Sequence, residues 1–143
     1  MKTSVSVSLP ASQQQVFDYL CDLASFQELI ALVHSVEPSV ESGDRVWTVE
    51  LRAKIGPFAR SKKLRMVRTF CEPHGRATFE RQELDSKDHA PWVLGVQVSP
   101  AETGCEATLS LEYGGRLWSA NVMEKVLRDS IEEGIECLRK KFS

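Results

Sequence analysis

No stretch of the 143-residue chain approaches the roughly 20 consecutive apolar residues that a bilayer-crossing helix requires. The opening Met1-Lys2-Thr3-Ser4 is polar and lacks the apolar centre of a secretory signal, so an intracellular, cytoplasmic protein is expected. Cysteine is sparse. Cys21, Cys71, Cys105 and Cys137 form no Cys-x-x-Cys pair, which suits buried, reduced thiols rather than a disulfide framework or a zinc site. His34, His74 and His89 lack metal-like spacing to further ligands and read as surface or structural, so neither a metal nor another cofactor is expected. A nucleophile elbow, a phosphate-binding glycine loop and a dinucleotide fingerprint are all missing, which leaves hydrolase and kinase readings without support. With no repeat, linker or low-complexity segment, residues 1–143 read as one domain.

What is present is an ordinary globular composition, 42% hydrophobic and 27% charged with a net charge of −2. A chain of this length buries roughly 68–70% of its unfolded surface and needs no covalent staple. The strongest single pattern is at the end. From Ser119 to Lys141, Val122, Val126, Leu127, Ile131, Ile135, Leu138 and Phe142 recur at steps of three and four, which predicts one long amphipathic helix. Ser119 or Asn121 can cap its start, and Arg139, Lys140 and Lys141 sit at its negative end. Ser130 and Gly134 interrupt the apolar face. Glycine costs roughly 1 kcal/mol in a helix interior, so the gap needs a reason, either close backbone packing or room for a ligand.

The rest reads as a sheet to hold that helix. Residues 2–9 alternate strictly, and Pro10 ends the strand. Ser12 and Gln15 have capping-box spacing before the stripe Val16, Phe17, Leu20 and Leu23, and Ser25 with Glu28 repeats the device for a second short helix. Strands follow: a weak one at 36–40, whose Pro38 belongs at an edge or bulge, then 45–55, about 60–72, 76–85, 90–98 and 105–113. Segregated helices and strands indicate an α+β domain. A curved antiparallel sheet of six to seven strands would wrap the long helix, with the first strand closing beside the last.

This arrangement resembles the helix-grip fold of the SRPBCC superfamily, which includes START lipid-binding domains, aromatic polyketide cyclases and one family of carbon monoxide dehydrogenase components. The residues carrying the likeness are Val5-Ser6-Val7-Ser8-Leu9-Pro10-Ala11-Ser12, Val16-Phe17-Asp18-Tyr19-Leu20, Lys54-Ile55-Gly56-Pro57-Phe58 and the C-terminal helix. The resemblance implies a cavity between the sheet and that helix, and binding of a hydrophobic or amphipathic small molecule for storage, transport or sensing.

Inward positions of the sheet then become candidate ligand contacts: Trp47 and Leu51, Met66 and Arg68, Phe79 and Arg81, Trp92 and Leu94, Leu109 and Tyr113. The helix adds Met123, Leu127, Ser130 and Gly134. Arg68, Arg81 and Glu83 fall on faces assigned to the interior, where an unpartnered charge is costly. They can form an internal Arg–Glu pair, reach the rim, or meet an anionic ligand group. If the domain is an enzyme, cyclisation or dehydration of a polyketide-like chain is the compatible reaction, with Arg68 or Tyr113 polarising a carbonyl. A third feature is charge. Between Leu51 and Cys71 stand Arg52, Lys54, Arg60, Lys62, Lys63, Arg65 and Arg68, with no acidic residue. Such a patch suits an acidic protein or an anionic membrane surface, and nucleic acid least, because no exposed aromatics interleave it.

Overall fold

The computed structural model describes residues 2–39, 45–55, 57–73, 75–114 and 120–143, with backbone alone at 55 and 120–123. Strand β1 (Lys2–Leu9) leads into helix α1 (Gln13–Leu20), a 3-10 turn (Leu23–Ser25) and helix α2 (Phe26–Leu29). Six strands follow: β2 (Val33–Pro38), β3 (Val46–Ile55), β4 (Phe58–Glu72), β5 (Arg76–Arg81), β6 (Trp92–Ala101) and β7 (Gly104–Tyr113). Helix α3 (Ala120–Lys141) closes the chain. All strand pairs are antiparallel, in the order β1-β7-β6-β5-β4-β3-β2. The first strand does lie beside the last, from Lys2↔Glu112 to Leu9↔Cys105.

The alternation in the sequence becomes burial. Val7 and Leu9 are buried on β1 while Ser6 and Ser8 face water, and Cys105, Ala107, Leu109, Leu111 and Tyr113 form one buried row on β7. At the β6–β7 turn, Gly104 has φ +152° and a Cβ there would stand 2.0 Å from the Leu9 carbonyl oxygen, so the turn tolerates only glycine. Against this half of the sheet, α3 presents Leu127, Ile131, Ile135 and Leu138, all buried. Each such side chain contributes about 1.5–3 kcal/mol by leaving water. The proposed cap Ser119 lies outside the described residues, as do the side chains of Asn121 and Val122.

Four local expectations are corrected. The Ser12–Gln15 capping box is present, but Ser25 makes no side-chain cap; Asp22 accepts from the Ala24 N–H instead, and the resulting 3-10 turn separates the two helices. On β4 the register shifts between Arg68 and Phe70, so Phe70 leaves the side of Leu64 and Met66 and is 45% exposed. Strand β5 stops at Arg81, because Glu83 bends back to the Arg65 N–H and Asp85 accepts from the Lys87 N–H, which ends the ladder. Only Cys105 is fully buried; Cys71 and Cys137 lie on the surface, although all four thiols are free. Strand β2 is the edge strand that Pro38 implied, starting at Val33.

Candidate functional site

Among the described residues, the interior holds a wholly apolar void of about 50 Å³. Its floor comes from Val49 and Leu51 of β3 and Leu64 and Met66 of β4. Trp92 and Leu94 of β6 and Leu111 of β7 close one side. The roof is Leu23, Phe26 and Ile30, and β2 with its preceding turn adds Leu32, Val33 and Val36. The void therefore lies under α2 and the edge strand. None of the described residues of α3 lines it.

A partly open groove of about 310 Å³ is lined by Cys21, Asp22, Ala24, Pro38, Trp47 and Arg68. It neighbours the void element by element, since Leu23 is followed by Ala24, Val36 by Pro38 and Met66 by Arg68, the strand residues two along on the same face. Arg68 is half-buried here, and its Nη1 donates to the Cys21 carbonyl at 2.9 Å. Burial pushes the Cys21 thiol above its ordinary value, with the Arg68 charge acting in opposition. The groove thus has an apolar inner end and a guanidinium at its outer end. A broader depression lined by Asp18, Tyr19, Asp22, Gln27 and Glu28 lies on the outer side of α1 and α2 and opens to solvent.

Of the sheet residues expected to meet a ligand, Leu51, Met66, Trp92 and Leu94 line the void, and Trp47 and Arg68 line the groove. Phe79 is wholly buried and plugs the centre, edge-on to Trp47 at 5.6 Å and to Phe26 at 6.4 Å. Arg81 forms the internal pair: its Nε donates to Glu83 Oε1 at 3.0 Å and its Nη1 to the Ala90 carbonyl at 3.2 Å, with its side chain 5% exposed. Leu109 and Leu127 are core residues away from the void. Met123 has its side chain outside the described residues.

Ser130 is buried on the inner face of α3, and at Gly134 the reason is close packing. A Cβ there would stand 2.7 Å from the Leu29 carbonyl oxygen, so the helix meets the end of α2 backbone to backbone. Arg68 and Tyr113 are not brought together. The ladder runs Arg68↔Phe79, Phe79↔Leu94, Leu94↔Leu111, which places three strand spacings, roughly 14 Å along the sheet, between Arg68 and the row beside Tyr113. Tyr113 instead packs its ring on Trp92, 4.4 Å between centroids. Trp92, one of the residues lining the void, carries a buried Nε1–H with no acceptor.

In the sequence the contacts from α2 and β2 read as ordinary core, because their apolar stripe carries no sign of what lies beneath it. Among the described residues, no group of three or more His, Cys, Asp or Glu is placed to hold a metal ion.

Residues 1–143 match the family described as polyketide cyclase / dehydrase and lipid transport. The chain belongs to that family. Through it the chain joins the SRPBCC superfamily, whose helix-grip architecture the seven-stranded sheet and closing helix reproduce. No curated protein matches the sequence. Among solved structures, a conserved protein from Geobacillus kaustophilus superposes with a TM-score of 0.74 at 15% identity, covering 99% of this chain and 95% of that one. A START superfamily protein from Mycobacterium smegmatis gives a TM-score of 0.71 at 10% identity, covering 99% and 96%. The di-domain ARO/CYC StfQ from the steffimycin biosynthetic pathway gives 0.68 at 13%, covering 99% of this chain and 49% of that chain. At such identities the superpositions speak to the fold alone.

Proposed function

We propose that this family member binds a hydrophobic or amphipathic small molecule, with its apolar body in the void beneath α2 and its polar end at Arg68. The observation carrying this reading is an entirely apolar space inside the core beside a groove that ends on a guanidinium. At about 50 Å³ the void is far below the roughly 300–1,000 Å³ of a drug-sized ligand site, so binding requires α2 and β2 to move outward. The roof is suited to that motion. Helix α2 has only four residues, and β2 is an edge strand bonded on one side.

Native mass spectrometry of the purified protein, together with displacement of an anionic apolar dye, tests the reading. Dye binding should weaken about tenfold in Arg68→Gln, the scale of one charge-assisted hydrogen bond, while Arg81→Leu should leave affinity for the dye intact in the folded fraction. Equal affinity in the Arg68→Gln variant and the unmodified protein would remove Arg68 from the site. A cyclase or dehydratase activity is open to this family, but a carbonyl shared by Arg68 and Tyr113 finds no support in their separation across the sheet.

A further inference from the structure

The β3–β4 hairpin is longer than the strands beside it. On one side the last bond to its neighbour is from the Arg52 N–H to the Leu32 carbonyl; on the other, the last are from the Gln82 N–H to the Arg65 carbonyl and from the Arg65 N–H to Glu83. Beyond them the pairs Ala53↔Arg60, Lys54↔Ala59 and Ile55↔Phe58 project as a two-stranded arm flanked by no other strand among the described residues. A lone hairpin is marginal in water, and its open edges are templates for contact.

The side chains of the arm specify the contact. Phe58, at the tip, is 73% exposed, the most exposed large hydrophobic among the described residues, which corrects the expectation that no exposed aromatic interleaves the basic run. Behind it Lys54, Arg60 and Lys63 are exposed, and Arg52 lies 3.7 Å from Glu50. Lys62 is half-buried, and burial followed by the nearby Arg81 charge lowers its affinity for a proton. By strand parity Phe58, Arg60 and Lys62 share a face with Leu64 and Met66, which line the void. That face therefore runs from an aromatic tip, past Arg60 and Lys62, into the apolar interior, while Lys54 and Lys63 stand on the opposite face of the arm.

We propose that the arm docks on an anionic lipid bilayer, with Phe58 at headgroup depth and Lys54, Arg60 and Lys63 against lipid phosphates. A lone aromatic at a tip and cations a few residues behind it match the layering of a membrane interface, apolar beyond polar. An acidic protein surface would engage the cations without a place for Phe58. Docking holds the floor of the void beside the bilayer, where an apolar ligand would be exchanged. The proposal goes beyond the ligand reading and fails separately from it, because vesicle binding is measured with no ligand added.

The experiment is flotation of the full chain with vesicles of phosphatidylcholine alone and with equal parts phosphatidylglycerol. Binding is expected only to the mixed vesicles, weakening as salt rises. The combined variant Lys54→Glu, Arg60→Glu and Lys63→Glu should lose on the order of a hundredfold, from about fivefold per cation. Phe58→Ser should lose roughly tenfold with its circular dichroism unchanged, while Leu84→Ser, at an exposed leucine off the arm, should bind as the unmodified protein does. No flotation, equal flotation of the charge-reversed variant, or indifference to Phe58→Ser would overturn the proposal. So would tighter, Phe58-independent capture by a soluble polyglutamate.

Discussion

The two halves of this sheet are built differently. Around β1, β7 and β6 the inner face is filled by α1 and α3, whose Leu20, Leu127, Ile131 and Leu138 show no exposed surface, and α3 also meets the end of α2 backbone to backbone at Gly134. Around β2, β3 and β4 the cover is one turn of α2, the core holds an empty apolar space, and the hairpin runs on past its neighbours. Protein interiors ordinarily pack to crystal density, so a void of this kind marks where stability has been given up. On the proposed reading the difference divides the work: one half holds the fold together, and the other opens and touches a partner.

The largest expected effect breaks the packed half. Gly134→Leu drives side-chain atoms into the Leu29 carbonyl, a main-chain group at the end of α2, so the urea midpoint should fall by the equivalent of about 3 kcal/mol. A loss below about 1 kcal/mol would show that α3 can retreat and that the two halves are equally yielding. Next is Arg81→Leu. The substitution leaves the Glu83 carboxylate, 20% exposed, without its guanidinium, and should cost about 2 kcal/mol, below the range for a fully buried pair because water still reaches the site. Had Arg81 been held for a ligand's anion instead, dye affinity would collapse with stability retained.

On the loose side, Val36→Phe sharpens the contrast. Val36 lines the void from the edge strand, and the added atoms have space to enter, so stability should change by less than about 1 kcal/mol in either direction. Dye binding, by contrast, should fall at least about tenfold, since the space is now filled. Retained binding with unchanged stability would move the ligand site elsewhere. The same kind of enlargement is thus expected to unfold one half and merely to close the other.

Much of this was legible in the chain. Strict alternation placed β1, β3 and β7 and their inward faces, Ser12 and Gln15 marked the start of α1, and the period of Val126, Leu127, Ile131, Ile135 and Leu138 gave α3. These signals are local, and a residue's neighbours in sequence suffice to read them. What could not be read is set by distant partners. The bulge between Arg68 and Phe70 has no residue signature of its own, and it reverses the side on which Phe70 lies. The small-residue gap in α3 left packing and ligand as alternatives until the Leu29 carbonyl was found against Gly134. The void escaped for the same reason: its roof residues Phe26, Ile30 and Val36 are apolar whether or not something is missing beneath them.

The smallest effect tests how the helix ends are fastened together at the rim. Tyr19 of α1 donates to Glu28 of α2, while Lys141 of α3 lies 3.6 Å from Glu28 and 4.6 Å from the Tyr19 ring centre, and Phe142 packs edge-on to that ring at 5.6 Å. The Tyr19 hydroxyl, and then Lys141, hold the Glu28 carboxyl below its ordinary value; burial, then Glu28, pushes the Tyr19 phenol up. The signs are opposite. A carboxylate with a depressed folded pKa stabilises above its unfolded value and loses that contribution as pH falls through the folded one. A phenol with a raised folded pKa contributes below its unfolded value, about 10, and loses that contribution as pH rises toward the folded one. Stability should therefore decline on both the acid and the alkaline side, with Tyr19→Phe flattening both limbs and Glu28→Gln removing most of the acid one. Glu28 is largely exposed, so the effect should be a small shift in urea midpoint, suppressed by salt. If Tyr19→Phe leaves both limbs intact, the clasp contributes nothing, and α3 is held by its buried face alone.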